Sequence, residues 1–529
     1  MANQYPIDVF GEADSSDYWP RRLLHLPSMT SVERVGRDTY LLEPTRNFFK
    51  KPQYSVLSYT WGRYEKKPRR REHRRLEVAG IQWEIPPVKE EHFLVEDFQR
   101  ALGVLASKHE FAWVDVACIH QEDNVLKLDE IGRQGKIFQR AESAYIWLCR
   151  TSSTSLKRIS NQMESMKGLY LHAIQDDFFE SKSPKPDLGK DMDKEEEDLL
   201  AMLDSSIQAI SKLIEDPYFS SLWTLQESLY HQQACVISSD GKFHVEHPLG
   251  FGDIESTWPH LKSEKIGERI EGVMKLMRRA GYDPSAVHLY NPHRSRRGAS
   301  YREASIEQDR IFAVMSVYGI TTPVTPNTID PYLYSLADLE HSFAAKLNTM
   351  SPALGQLFLH VNKPYPRCSW KVTSTADIID QSQIWTTNWR RWKVGCGISA
   401  TTNGYANFHG LTISLSQLLE VSEQTEVSIV LDKYLQGEFA IPPLSLLKAQ
   451  GMLENEIFHC IGNLLLMKNA DRIRLLELAT VGSTKGNQMF IFLIMRRLLG
   501  VEHIYERLGI CFLWPRCDIQ RKREYGELH

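Results

Sequence analysis

Two acids stand where a carboxylate could do chemistry. Trp223 and Glu227 lie four residues apart in Phe219-Ser220-Ser221-Leu222-Trp223-Thr224-Leu225-Gln226-Glu227. The stretch predicts a short helix, which puts the indole and the carboxylate on one face. A bulky aromatic beside a carboxylate can desolvate it and raise its pKa, or form a stacking wall beside a charge. The plainer alternative is a core tryptophan with a solvated or capping glutamate. Asp115 lies inside Phe111-Ala112-Trp113-Val114-Asp115-Val116-Ala117-Cys118-Ile119, which reads as a buried strand. An unpaired acid there is costly, so Asp115 either pairs with a backbone donor or an arginine, or it lines a polar cleft.

Other patterns carry less. Cys118, His120 and Glu122 alternate at a strand end, but zinc needs a further ligand or a matching pair and none is found; no metal is expected. Residues 395–400, Gly-Cys-Gly-Ile-Ser-Ala, fit a dinucleotide fingerprint in letters only. A basic, Trp-rich segment precedes them, and Thr-Thr-Asn-Gly follows where a helix should start. No Gly-x-Ser-x-Gly and no Gly-x-x-x-x-Gly-Lys-[Ser/Thr] occurs, which argues against α/β-hydrolases and P-loop NTPases.

The positioning elements follow from periodicity. Residues 54–59, Tyr-Ser-Val-Leu-Ser-Tyr, form a strand that ends at Thr60-Trp61-Gly62. Phe98, Ala101, Leu102, Leu105 and Ala106 mark an amphipathic helix over 96–108. A strand over 111–119, a helix over 124–141 and a strand over 144–149 come next. Continuous apolar strands separated by helices imply an α/β fold, a parallel sheet covered on both faces. In such sheets ligands sit outside the carboxyl ends of the strands. Ser58, Tyr59, Trp61 and Gly62 should therefore share a rim with Asp115 and with Cys118-Ile119-His120-Gln121. Residues 151–198 read as an insertion. A helix carrying Leu199, Leu203, Ile207 and Ile210 is stopped by Asp216-Pro217. A short helix over 223–229, a strand over 234–237, a helix over 266–278, a basic loop over 292–302 and a helix over 309–319 complete the pattern. The expected domains are an N-terminal lead-in over 1–50 with a short hairpin at 40–45, an α/β domain over 51–320, and a mostly α region over 330–529 with some β near 410–421.

The 529 residues are 42% hydrophobic and 25% charged, with 63 basic and 67 acidic side chains for a net charge of −4. That balance excludes a nucleic-acid-coating protein. Residues 63–75 hold eight Lys/Arg but lack the series of interleaved aromatics used by single-strand platforms. They read as a solvated loop, with a nucleotide-phosphate or acidic-partner contact as the alternative. Residues 1–19 carry four acids and no basic residue, so no secretory signal is expected. The apolar run at 489–495 falls short of the ~20 residues a bilayer span needs. Eight cysteines without a C-x-x-C pair read as reduced, buried thiols of a cytoplasmic protein.

Taken together, five ordered blocks resemble the fungal heterokaryon incompatibility (HET) domain. They are Tyr54 to Gly62; Trp113-Val114-Asp115-Val116-Ala117-Cys118-Ile119-His120-Gln121; Glu130-Ile131 through Ile137-Phe138 and Ala141; Phe219 to Glu227; and Asp309-Arg310-Ile311-Phe312. Two positions depart from the family pattern, which has Asn at His120 and Arg at Ser221. The resemblance implies a role in self/non-self recognition and programmed cell death. HET domains are in turn similar to TIR domains, which share a flavodoxin-like sheet and in many cases hydrolyse NAD⁺ with a glutamate in Trp-Cys-x-x-Glu. By that likeness Glu227 and Asp115 are the catalytic candidates. Ser58, Tyr59, Trp61, Gly62, Trp113, His120, Gln121, Trp223 and Gln226 are the ligand-binding ones. NAD⁺ is then a substrate and no prosthetic group is implied. The implied partners are further copies of the chain or other incompatibility proteins, without specific nucleic acid or a membrane span. A non-catalytic signalling module and a diverged inactive paralogue stand as the alternatives.

Overall fold

The computed structural model describes residues 9–12, 19–43, 45–61, 75–162, 192–230, 234–245, 306–322, 329–373, 376–379, 391–421, 426–435, 472–482, 488–514 and 520–529, with scattered positions between them. The chain divides into two compact units. One is Glu12–Pro331; the other combines Met1–Gly11 with Tyr332–His529. Among the described residues no helix is long and apolar enough to cross a membrane.

In the first unit a mixed α/β arrangement surrounds a nine-stranded sheet. Its strands are β1 (Arg22–His25), β2 (Thr30–Arg34), β3 (Thr39–Leu42), β4 (Asn47–Lys50), β5 (Tyr54–Ser58), β6 (Phe111–Trp113), β7 (Ser143–Trp147), β8 (Cys235–Ile237) and β9 (His244–Val245), in the order β9-β8-β7-β5-β6-β1-β2-β3-β4. The four central strands run parallel, with Val56 opposite both Trp113 and Ala144 and Tyr145 opposite Cys235. All five residues of β5 and all three of β6 are buried, as strands covered on both faces require. Residues 22–50 add an antiparallel meander beyond β6. The hairpin expected at 40–45 is the β3–β4 pair, wider than the sequence indicated.

The helices follow their apolar stripes. Helix α1 (Val95–Ala106) buries Val95, Phe98, Ala101, Leu102 and Leu105, and carries Glu96 and Asp97 in its first turn, where acids favour the helix dipole. A single turn, α2 (Asp115–Cys118), follows β6. The strand expected over 111–119 is thus corrected: it stops at Trp113, and Asp115 begins the turn beyond it. Alternation cannot show that end, because both pieces are apolar apart from Asp115. Helix α3 (Asn124–Arg140) is capped by Asp123, whose carboxylate accepts from the Val125 and Leu126 amides at 2.9 and 3.1 Å. It lies so close to Thr321 that a Cβ on Gly132 would stand 2.3 Å from the threonine hydroxyl. Helices α4 (Met192–Ile214), α5 (Trp223–Tyr230) and α6 (Asp309–Met315) follow. The turn after α6 ends at Gly319, with φ 74°, a conformation that glycine adopts without strain. Most of 163–191 and 246–301, including the middle of the insertion and most of the helix expected over 266–278, lies outside the described residues.

Numbered along the chain, the parallel strands β5, β6, β7 and β8 stand in the order 2-1-3-4. Successive connections therefore leave β5 toward opposite edges, and the direction reverses between β5 and β7. A crevice at the carboxyl ends is the geometric consequence.

The second unit overturns the mostly α expectation. Among the described residues, helices α7 (Leu336–Met350) and α8 (Pro352–Gln356) accompany two short strands, β10 (Phe358–Leu359) and β11 (Asp377–Ile378), and an eight-stranded sheet. That sheet contains β12 (Lys393–Val394), β13 (Cys396–Ala400), β14 (Ala406–Ser414), β15 (Glu426–Leu431), β16 (Ile473–Val481), β17 (Met489–Arg497), β18 (Ile504–Trp514) and β19 (Lys522–Leu528); one short helix, α9 (Leu415–Val421), interrupts it after β14. β14 pairs with both β19 and β16, so the path β16-β17-β18-β19-β14 closes on itself. Met489 to Met495 are all buried. A short apolar run covered on both faces has no period that separates strand from helix. The Gly-x-Gly-x-x-Ala letters lie along β13, paired antiparallel with β14. They are one arm of a hairpin, not a phosphate turn.

Candidate functional site

The carboxyl end of β5 is Ser58, and its hydroxyl donates to Glu227 Oε2 on α5. The Ser58 oxygen also lies 3.0 Å from the Tyr218 hydroxyl. The other carboxyl oxygen of Glu227 accepts from Gln134 Nε2 of α3 at 2.6 Å. Strand and helix thus each supply one group to a single carboxyl, whose residue is 8% exposed. Beside it Tyr59 donates to Asp115 Oδ1, which also accepts the Val116 amide at 2.6 Å. Asp115 is half-buried.

Burial first, and then the charge of Asp115, push the Glu227 pKa up to about 8; Ser58, Gln134 and Arg302 pull the other way. Burial also raises Asp115, against its bonds from Tyr59 and Val116, and holds the Tyr59 phenol well above its ordinary range. At neutral pH Glu227 is mainly a neutral acid. It becomes a strong carboxylate base once ionised, and its ionisation responds to any charge placed near it.

The turn before α5 is pinned from two sides. Asp216, just beyond the end of α4, accepts from the Arg150 amide (2.9 Å), the Thr151 hydroxyl (3.1 Å) and the Tyr218 amide (3.2 Å). This ties the exit of β7 to the turn that carries Tyr218. Residues 302–304 run alongside, with the Leu222 amide on Glu303 O (3.1 Å) and the Glu303 amide on Ser220 O (2.8 Å). They deliver Arg302, whose Nη1 donates to Thr224 Oγ1 (2.8 Å), Ser221 O (2.9 Å) and Tyr218 O (3.3 Å).

The other sequence candidates have partners of their own. Trp61, 3% exposed, donates to Pro86 O and packs on Phe93 and Phe98 at 5.5 and 5.2 Å. Trp113 stands edge-on to Phe138. His120 accepts the Asp123 amide and packs on Trp83. Gln121 donates to Asp115 O and Ile119 O. Trp223 donates to Asp309 at 3.1 Å. Gly62 and the side chain of Gln226 on α5 lie outside the described residues, as does the basic run up to residue 74. A groove of about 1230 Å³, lined in part by Arg75, Trp83, Glu84, Val95 and Glu96, has none of the Glu227 cluster among its described walls.

Sequence reasoning missed Gln134, Tyr218 and Arg302. Gln134 left a signal: it falls three residues after Ile131 and four before Phe138, a polar group on an apolar stripe. Tyr218 and Arg302 left none, because only the folded turn brings them to Glu227.

The fold and this cluster define an α/β domain with a protonatable carboxyl enclosed at the point where its parallel sheet reverses direction. Residues 54–227, a third of the chain, match the family model described as heterokaryon incompatibility protein (HET). The match begins on the first residue of β5 and ends on Glu227; it takes in four of the five blocks and stops before Asp309-Arg310-Ile311-Phe312. No curated protein and no solved structure matches the chain.

Proposed function

We propose that this chain acts in heterokaryon incompatibility through its HET domain, and that the Glu227 cluster cleaves NAD⁺ in a TIR-like reaction that triggers programmed cell death in a fungal cytoplasm. The observation that carries the reading is the Glu227 carboxyl itself, held by Ser58 and Gln134 at the carboxyl rim with its proton affinity raised. The 2-1-3-4 order of the parallel strands supports a flavodoxin-like likeness. In the reaction the C1′–N bond breaks and its electron pair leaves on the nicotinamide nitrogen. The ribose gains oxocarbenium character, which an ionised Glu227 stabilises. Water adds to C1′ and gives up a proton, which the carboxylate accepts. Self-association completes such a site when a neighbouring copy supplies the outer wall.

A second reading, a non-catalytic assembly module, is favoured by the enclosure of Glu227 and by the packing of the Trp61 ring against protein. Incubation of concentrated protein with NAD⁺, followed by chromatography for nicotinamide, separates the two. The enzyme reading expects release by wild type and loss of at least a hundredfold in Glu227→Gln. No release, with cell death intact in Glu227→Gln, overturns it in favour of the module.

A further inference from the structure

We propose that Arg302, outside the segment matched by the family model, is a positioning residue of the Glu227 site: its guanidinium clamps the Tyr218–Thr224 turn and acts as the fixed positive charge against which the Glu227 carboxylate forms. The inference rests on the site proposed above and concerns its regulation, not its reaction.

The argument begins with cost. Arg302 is 2% exposed, and a guanidinium removed from water is stable only when its donors and its charge are both answered. Nη1 meets three neutral oxygens, on Tyr218, Ser221 and Thr224. These atoms precede or open α5, so the cation sits at the positive end of that helix, where the dipole opposes it. An opposing dipole there makes a nearby anion valuable. Glu227, one helical turn beyond Thr224, feels that cation.

The mechanical side is equally direct. Tyr218 sets the Ser58 hydroxyl from behind, and Thr224 shares its helix with Glu227. A side chain that grips the carbonyl of one and the hydroxyl of the other fixes the carboxyl against Ser58 and Gln134. Among the described residues, the charged and titratable groups beside Glu227 include Asp115 from α2, Tyr59 after β5, Tyr218 behind Ser58 and Arg302 from the 302–304 segment. Asp115 and Arg302 act with opposite sign.

The test uses the full chain and needs no turnover. Urea stability is measured from pH 5 to 10 for wild type, Arg302→Gln and Arg302→Lys, each with and without Glu227→Gln. Subtracting the Glu227→Gln curve isolates the ionisation of Glu227. Arg302→Gln keeps donors for the carbonyls and removes the charge; its ionisation midpoint is expected to rise by about one unit, a tenfold change. Arg302→Lys keeps the charge without the fork; its midpoint is expected to stay near wild type while stability falls equally at every pH. An unmoved midpoint in Arg302→Gln, or equal shifts in both variants, overturns the proposal. A failure of wild type to release nicotinamide sinks the proposed reaction and leaves this result standing.

Discussion

Each unit buries a carboxylate, and the two are answered differently. In the second unit Asp432 and Arg507 are both 0% exposed and stand 3.5 Å apart. Burial raises Asp432 to about 6, and the direct counter-charge limits the rise. Arg507 is also set over the Phe358 ring and donates to the Phe358 carbonyl. In the first unit Glu227 has hydroxyl and amide partners and a like charge close by, and its pKa reaches about 8. A buried acid with its counter-ion in contact holds a structure together. One held by neutral groups beside another acid keeps its proton near neutrality and can give it up when a cation arrives.

The largest effect that sharpens this contrast is Arg507→Met. It leaves Asp432 buried without its cation, which costs about 3–5 kcal/mol. Chemical denaturation of the second unit reads it, and adding Asp432→Asn is expected to recover part of the loss. A loss under about 1 kcal/mol would mean that the pair is not structural, and the contrast would fail.

Glu227 predicts a pH signature of the opposite kind. Its folded pKa, about 8, lies above the ordinary 4.5. The folded state therefore holds the proton more tightly, and this stabilisation is complete below about 4.5. It declines as pH rises toward 8 and is gone above, a loss of a few kcal/mol. Glu227→Gln cannot titrate, so its stability should lack that decline. Urea midpoints at pH 5 and pH 9 measure the difference; parallel changes in the two proteins would break the argument.

How much of this was legible in the sequence differs between the same two regions. Around Glu227 the helix stripe of Phe98, Leu102 and Leu105 and the apolar β5 and β7 were readable, because a parallel sheet with crossover helices writes two distinct periods. The polar partners were less so. Gln134 interrupts a stripe, whereas Arg302 reaches Glu227 only through a backbone bridge to Ser220 and Leu222, and no local pattern encodes that. In the second unit the leucines of β16 favour helix by intrinsic propensity, yet that strand is buried in eight of its nine residues. Tertiary cover on both faces outweighed propensity there, so a closed β ring was misread as helices.

The smallest effect tests the like-charge half of the comparison. Asp115→Asn keeps an oxygen to accept from Tyr59 and from the Val116 amide, so the turn at α2 should hold. What goes is the negative charge that helps keep the proton on Glu227. The sign is fixed: without that charge the carboxylate forms more easily, and the Glu227 midpoint falls from about 8 by about one unit. The shift is opposite to that expected of Arg302→Gln, and combining the two substitutions should return the midpoint close to wild type. The same subtraction against Glu227→Gln reads all three. An Asp115→Asn midpoint that stays in place would show that burial alone sets the acidity of Glu227; Asp115 would then be a turn residue, and the difference between the two buried acids would reduce to the presence or absence of an arginine.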